Sequence, residues 1–246
     1  MSAPRPTTYV VRPPRGLSSP AKPDLLKSAE LDHLVIAAAT LEQGVQWCES
    51  VLGVTPEPGG KHAFVGTHNR LLSIASPAFP RAYLEVIAID PDAPAPPRPR
   101  WFGLDTRPRD AAPGLVHFVA RTADVRGLRA ALAAIDHDPG EPRAASRDTA
   151  RGTLRWTITL REDGRMVCAG ALPTLIEWQD AHPSDMLPAS SVSLLTFEAT
   201  GLPNHVTTAL GLPGVVMHEG QGAALRASLQ TPRGIITIQS TDRNRT

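Results

Sequence analysis

One arrangement of apolar segments recurs along this chain, and it restricts the fold more than any other feature. A β-branched, apolar run is followed by an amphipathic helix and then by further strand-like runs. The first copy opens at residues 31–38 (LDHLVIAA). Thr40 reads as an N-cap, and Leu41, Val45, Trp47, Cys48, Val51 and Leu52 follow at roughly helical spacing up to a stop at Gly53. After a loop containing Pro56, Pro58, Gly59 and Gly60, residues 70–75 and 83–89 read as strands. The order returns with a strand at 114–121 (GLVHFVAR) and an N-cap at Asp124. Val125, Leu128, Leu132 and Ile135 then mark a helix face, before strands at 154–161 and 172–178. A third copy reads as strand 192–199, helix 204–210 and strands 215–218, 225–230 and 234–239. The expected fold class is therefore α+β, built from paired βαβββ modules with a shorter third C-terminal unit.

The expected boundaries follow from composition shifts. Residues 1–30 form a Pro-rich, basic leader, extended or disordered, without the apolar core of a secretory signal. An organelle transit peptide shares its Arg-rich, acid-poor character. Module 1 spans 31–90 and module 2 spans 114–183. A Pro-rich linker over 91–113 joins them, and a shorter β-α-β unit covers 190–246. Lys plus Arg total 25 against 24 for Asp plus Glu, which argues against nucleic acid or a membrane surface as partner. No apolar run approaches the roughly 18–20 residues of a membrane helix. Cys48 and Cys168 are too few for a disulfide scaffold. A cytoplasmic protein is expected. Whether the modules pair within one chain or across a homodimer stays open.

The recurrence puts chemistry in register. His33 lies third in Leu31-Asp32-His33 and His117 third in Leu115-Val116-His117, on the first strands of their modules, and Glu85 and Glu177 lie in the last. Both glutamates sit between apolar neighbours, and a carboxylate buried in a strand is costly unless paired or bound to a cation. Two imidazoles and two carboxylates in matching positions suggest one divalent metal centre. Zn, Ni, Co, Mn or Fe(II) suit such ligands, and Cu(I) does not. Taken one at a time, each His could instead be a hydrogen-bonded core residue, and each Glu could face solvent.

The strand-helix-strands module, repeated with this His, Glu, His, Glu order, resembles the vicinal oxygen chelate superfamily. The ligand order is similar to that of bacterial glyoxalase I. Within the superfamily, Leu31-Asp32-His33-Leu34-Val35, Gly66-Thr67-His68-Asn69, Leu71-Leu72, Tyr83-Leu84-Glu85 and Phe102-Gly103-Leu104-Asp105 look like the glyoxalase-like domain proteins. So does Thr231-Pro232-Arg233-Gly234. The resemblance implies an open, cupped sheet around a metal held by His33, Glu85, His117 and Glu177. It also implies lyase or isomerase chemistry on a small oxygenated metabolite, with Glu177 or Glu85 as the proton-moving base. The module spacing and the third unit depart from glyoxalase I, and a basic cluster for glutathione is absent. Two other readings stay open. One is Fe(II) ring-cleaving dioxygenation with His33, His117 and Glu177. The other is a metal-free cup that sequesters a ligand.

Further residues complete the expectation. His62, His68 and Asn69 flank a Gly-containing loop and are candidate substrate contacts, or else belong to a solvated turn. His182 follows the Glu177 strand and could line the mouth of the cavity, but the preferred reading is surface loop. Arg155 and Trp156 must point to opposite faces of their strand, and an inward Arg155 would favour an anionic substrate. The preferred assignment packs Trp156 inward and solvates Arg155. Trp101 and Phe102 read as packing residues in the linker, and Cys48 as a small core residue.

Overall fold

A computed structural model describes residues 29–149, 152–220, 222 and 224–240. The leader therefore lies outside the described residues, except for its last two. Module 1 runs through β1 (Glu30–Ala37), α1 (Leu41–Trp47), β2 (Glu57–His62), β3 (Thr67–Ser73) and β4 (Tyr83–Ile89). Thr40 caps α1 by accepting from the Gln43 backbone N–H. The helix continues as one wider turn over Cys48–Leu52 and stops at Gly53, whose φ of 76° suits glycine. Module 2 repeats the order in β5 (Gly114–Arg121), α2 (Val125–Ala133), β6 (Glu141–Thr149), β7 (Gly152–Leu160) and β8 (Thr174–Trp178). Asp124 caps α2 through Gly127 N–H. The C-terminal part contains β9 (Ser193–Thr200), α3 (Asn204–Leu210), β10 (Val215–His218), β11 (Ala224–Thr231) and β12 (Gly234–Gln239).

The two modules form one eight-stranded sheet, in the order β2-β3-β4-β1-β5-β8-β7-β6. Their first strands lie side by side and antiparallel, so the modules pair within the chain. The sheet curls until its edges β2 and β6 meet across the opening. A Cβ on Gly60 of β2 would lie 2.5 Å from Nη1 of Arg147 on β6. This is a nearly closed cup.

Alternation along each strand sorts side chains into two cores. Val35, Ala37, Ile87, Trp156, Ile158 and Ile176 point into the cup. Leu34, Ile36, Leu84, Val86 and Phe118 point outward, where they are covered by α1, α2 and the C-terminal unit. That unit forms a second sheet, β10-β9-β11-β12. It docks through Phe197 against Phe118 (ring centroids 4.9 Å apart) and through Leu194 N–H to the Ile74 carbonyl (2.8 Å).

Two strands differ from the expectation. Residues around Pro58-Gly59-Gly60 form β2 instead of a loop, and β6 had no sequence signal at all. Among the described residues both are edge strands, each with one in-sheet partner. They read Glu-Pro-Gly-Gly-Lys-His and Glu-Pro-Arg-Ala-Ala-Ser-Arg-Asp-Thr, with little of the apolar alternation that marks a buried face. The connection over 91–113 also does more than join modules. Its short 3-10 segment Trp101–Thr106 buries Trp101, Phe102 and Leu104 in the inner core.

Candidate functional site

The cup holds a small inner cavity of about 30 Å³. That is room for one or two water molecules. His33, His62, Asn69, Glu85, Arg147 and Trp178 contribute to its wall. The pleat explains Asn69 and Glu85. On β4, Tyr83, Glu85 and Ile87 share the inner face, while Leu84 and Val86 face the outer core. Asn69 pairs with Ile87 and Leu71 with Glu85, so both side chains also point inward.

The polar groups form a continuous chain. Glu85 Oε2 lies 3.4 Å from His33 Nε2, and Glu85 Oε1 accepts from Asn69 Nδ2 at 2.5 Å. Asn69 is oriented by the Gly60 backbone N–H, which donates to its Oδ1 at 2.8 Å. The amide nitrogen must therefore face Glu85, and it also approaches His62 Nε2 at 3.5 Å. His62 Nδ1 meets Thr67 Oγ1 at 3.0 Å. On its other side, His33 Nδ1–H donates to Asp32 Oδ1 at 2.6 Å. Asp32 Oδ2 accepts from His182 Nε2 (2.9 Å) and Trp178 Nε1 (3.0 Å). Asp32 can reach these partners because the β1–β5 ladder shifts register between Leu31 and His33, a bulge that re-aims it. Tyr83 stacks on the His33 ring at 4.5 Å.

These partners set the charges. Burial alone would lower the pKa of His33, but the hydrogen bonds and charges of Asp32 and Glu85 outweigh it and raise it to about 9. Burial would raise Glu85, yet His33, His62 and Asn69 hold it at about 2. Asp32 is likewise held far below its ordinary value, against burial, by His182 and His33. His62 goes the other way, because burial lowers it to about 4 despite the Glu85 charge. At neutral pH the cavity thus presents an imidazolium, a carboxylate and a neutral imidazole side by side.

The four expected metal donors do not assemble. Glu177 faces the outer side of the sheet, where its Oε2 accepts from the Val125 backbone N–H at the start of α2 (2.9 Å). Its neighbour Trp178 is the residue that points into the cup. His117 does face inward, but β1 and β5 pair Val35 with His117 and Val119 with His33, so the imidazoles are diagonal. His117 Nε2 is bonded to Thr174, from its N–H at 3.1 Å and its Oγ1 at 3.0 Å. Trp101 and Phe102 wall off the inner cavity from a second one of about 20 Å³ beside His117. Among the described residues no group of three or more His, Cys, Asp or Glu side chains is placed to hold a metal ion. The donor set does not fit the expected His/Glu/His/Glu centre.

Of the expected substrate contacts, His62 and Asn69 line the cavity, whereas His68 lies on the other face, 4.0 Å from Asp90. Arg155 is exposed and pairs with Asp180 at 3.3 Å, while Trp156 packs inward. His182 is buried, contrary to its reading as surface loop. Its turn is fixed by Arg81, which grips Asp185 with bonds of 2.6 and 2.7 Å. Asp32 and Arg147 were missed. The signal for Asp32 was present, since an acid beside a His inside an otherwise apolar strand must be paired.

Residues 31–231 match the family model of the glyoxalase-like domain. Comparison with curated proteins gave no match. A hypothetical protein from Staphylococcus aureus has a similar structure, with TM-score 0.54, 13% identity, and coverage of 79% of this chain and 87% of that one. Methylmalonyl-CoA epimerase from Mycobacterium tuberculosis aligns with TM-score 0.39 and 16% identity, over 66% of this chain and 95% of its own. The Streptomyces coelicolor methylmalonyl-CoA epimerase aligns with TM-score 0.39 and 18% identity, over 61% and 97%. No described helix is long and apolar enough to cross a membrane.

Proposed function

The chain belongs to the glyoxalase-like domain family, and from that premise we propose that its cup is the active site of an isomerase- or lyase-type enzyme. Its substrate is a small oxygenated metabolite with an acidic C–H beside a carbonyl. The observation that carries this reading is the Glu85 carboxylate, buried in the cavity wall between His33 Nε2 and Asn69 Nδ2. In the free protein His33 holds Glu85 ionised but weakly basic. A substrate carbonyl that takes over the His33 N–H leaves Glu85 with burial as its dominant influence, and its basicity rises. Glu85 Oε2 then accepts the proton from carbon. The electron pair moves to the carbonyl oxygen, and the His33 imidazolium stabilises the charge that develops there. Return of the proton to carbon completes an isomerisation, and loss of a β-substituent instead completes an elimination. His62, kept neutral by burial, supports Asn69 without competing for the proton.

The test is hydrogen exchange in D2O, followed by proton NMR, over a panel of small 2-oxo and 2-hydroxy acids and their esters. We expect exchange at the carbon next to the carbonyl for one class, reduced at least 100-fold in Glu85→Gln. Dialysis against a chelator should leave the rate unchanged. Tight binding without exchange across the panel would replace catalysis with ligand sequestration. One equivalent of a first-row metal, lost in His33→Ala, would overturn the metal-independent chemistry.

A further inference from the structure

The wall of the cavity contains one charge that the proton chemistry does not use. Arg147 lies on β6, directly opposite Leu154 of β7, whose side chain belongs to the inner core. Residues opposite one another in an antiparallel pair share a face, so Arg147 also points into the cup. Among the described residues it forms no hydrogen bond or ion pair. Burial lowers its pKa, with Tyr83 and Glu85 acting electrostatically in the opposite direction. A half-buried guanidinium without a carboxylate partner is an expensive thing to leave in a protein.

The opposite edge of the cup is shaped to admit it. The β2–β3 ladder is irregular between Pro58 and Lys61, where Gly59 and Gly60 sit. A Cβ on Gly60 would lie 2.5 Å from Nη1 and 3.0 Å from Cδ of Arg147. The missing side chain therefore leaves the channel through which Arg147 crosses the opening. Arg147 also lines a second, open cleft of about 370 Å³ just outside. That volume suits a small organic ligand. Its floor is largely apolar, with Leu71, Leu154, Met186, Leu187 and Pro188, and the exposed Glu57 lies at its rim. Leu71, Pro183 and Arg147 line both spaces, so the guanidinium stands where the outer cleft meets the inner cavity.

We propose that Arg147 is the anion anchor of this site, and that its ligand is an amphipathic monocarboxylate with its carboxylate on Arg147 and its apolar part in the outer cleft. A planar guanidinium matches a carboxylate with two parallel hydrogen bonds. Among the described residues the cleft offers a single unpaired cation, which suits one negative charge better than a phosphate dianion. The assignment rests on reading the cup as the substrate site.

Isothermal titration with 3-phenylpropanoate and its neutral amide tests this without any turnover. The carboxylate should bind at least tenfold more tightly than the amide in the wild type. Arg147→Met should abolish that preference, Arg147→Lys should keep part of it, and Gly60→Ala should weaken it by displacing Arg147. Glu85→Gln should bind the carboxylate at least as well as the wild type, because it removes a neighbouring negative charge. Circular dichroism confirms that each variant is folded. Equal affinity for acid and amide, binding of neither, or an Arg147→Met variant that still prefers the acid would overturn the anchor. Preserved carboxylate binding with no hydrogen exchange on any substrate would leave the anchor standing and remove the enzymatic reading.

Discussion

At the residue scale, the pleat decides which chemistry the cup contains. Glu85 and Glu177 look equivalent in sequence, each in an apolar last strand. One position of alternation separates them: Glu85 points inward, while in β8 it is Trp178 that does so. No periodicity argument could locate that difference, because both faces of this sheet are buried and both glutamates have apolar neighbours. The inward charges make stability depend on pH in a defined way. His33 is raised from 6.5 to about 9, so its contribution is complete below pH 6.5 and is lost as pH rises through 9. His62 is lowered from 6.5 to about 4, so its contribution is complete above pH 6.5 and is lost as pH falls through 4. Glu85, lowered to about 2, adds to the acid side alone. Thermal unfolding should therefore peak near pH 6.5, with an alkaline slope of at most about 1.4 kcal/mol per pH unit. His33→Gln should flatten the alkaline side between pH 6.5 and 9 and leave the acid side in place. An unchanged alkaline slope in that variant would show that His33 is not the group that titrates.

At the scale of elements, the apolar strands and the helices with their caps at Thr40 and Asp124 were legible in the sequence, because each carries its own periodicity or cap. The edge strands β2 and β6 were not. They are polar, proline-bearing and, among the described residues, paired on one side only, so their strand conformation comes from the neighbouring strand and not from their own residues. These are also the two elements that bring Gly60 and Arg147 together. A sequence reading that relies on apolar pattern therefore finds the barrel wall and misses its seam. Gly59 tests the seam directly. A Cβ there would sit 2.0 Å from Asn69 Oδ1 and 2.6 Å from the Asn69 carbonyl oxygen. Gly59→Ala should cost about 1–3 kcal/mol in urea unfolding, as overpacking does. It should also lower exchange activity at least tenfold by turning Asn69 away from Glu85. Wild-type stability and activity in this variant would mean that β2 plays no part in orienting Asn69.

At the scale of the whole molecule, the site and the C-terminal unit occupy opposite faces of one sheet. The second sheet covers apolar residues of the convex face, with Phe197 fully buried against Phe118. Its part is to bury that surface, so damage there should reach stability before it reaches chemistry. Phe197→Ala should lose roughly 3–5 kcal/mol of unfolding free energy. Below its midpoint, exchange activity per folded molecule should match the wild type. A selective loss of activity, with stability intact, would tie the second sheet to the cup instead.

The crowding of aromatic side chains around the cup also gives the protein a built-in optical reporter. Three of its four tryptophans, Trp101, Trp156 and Trp178, line the inner cavity, and only Trp47 lies elsewhere, on the first helix. Indole emission shifts with local polarity and is quenched by nearby acceptors. Filling or drying the cup must therefore change the intrinsic fluorescence of the native chain, against a constant background from Trp47, with no label attached.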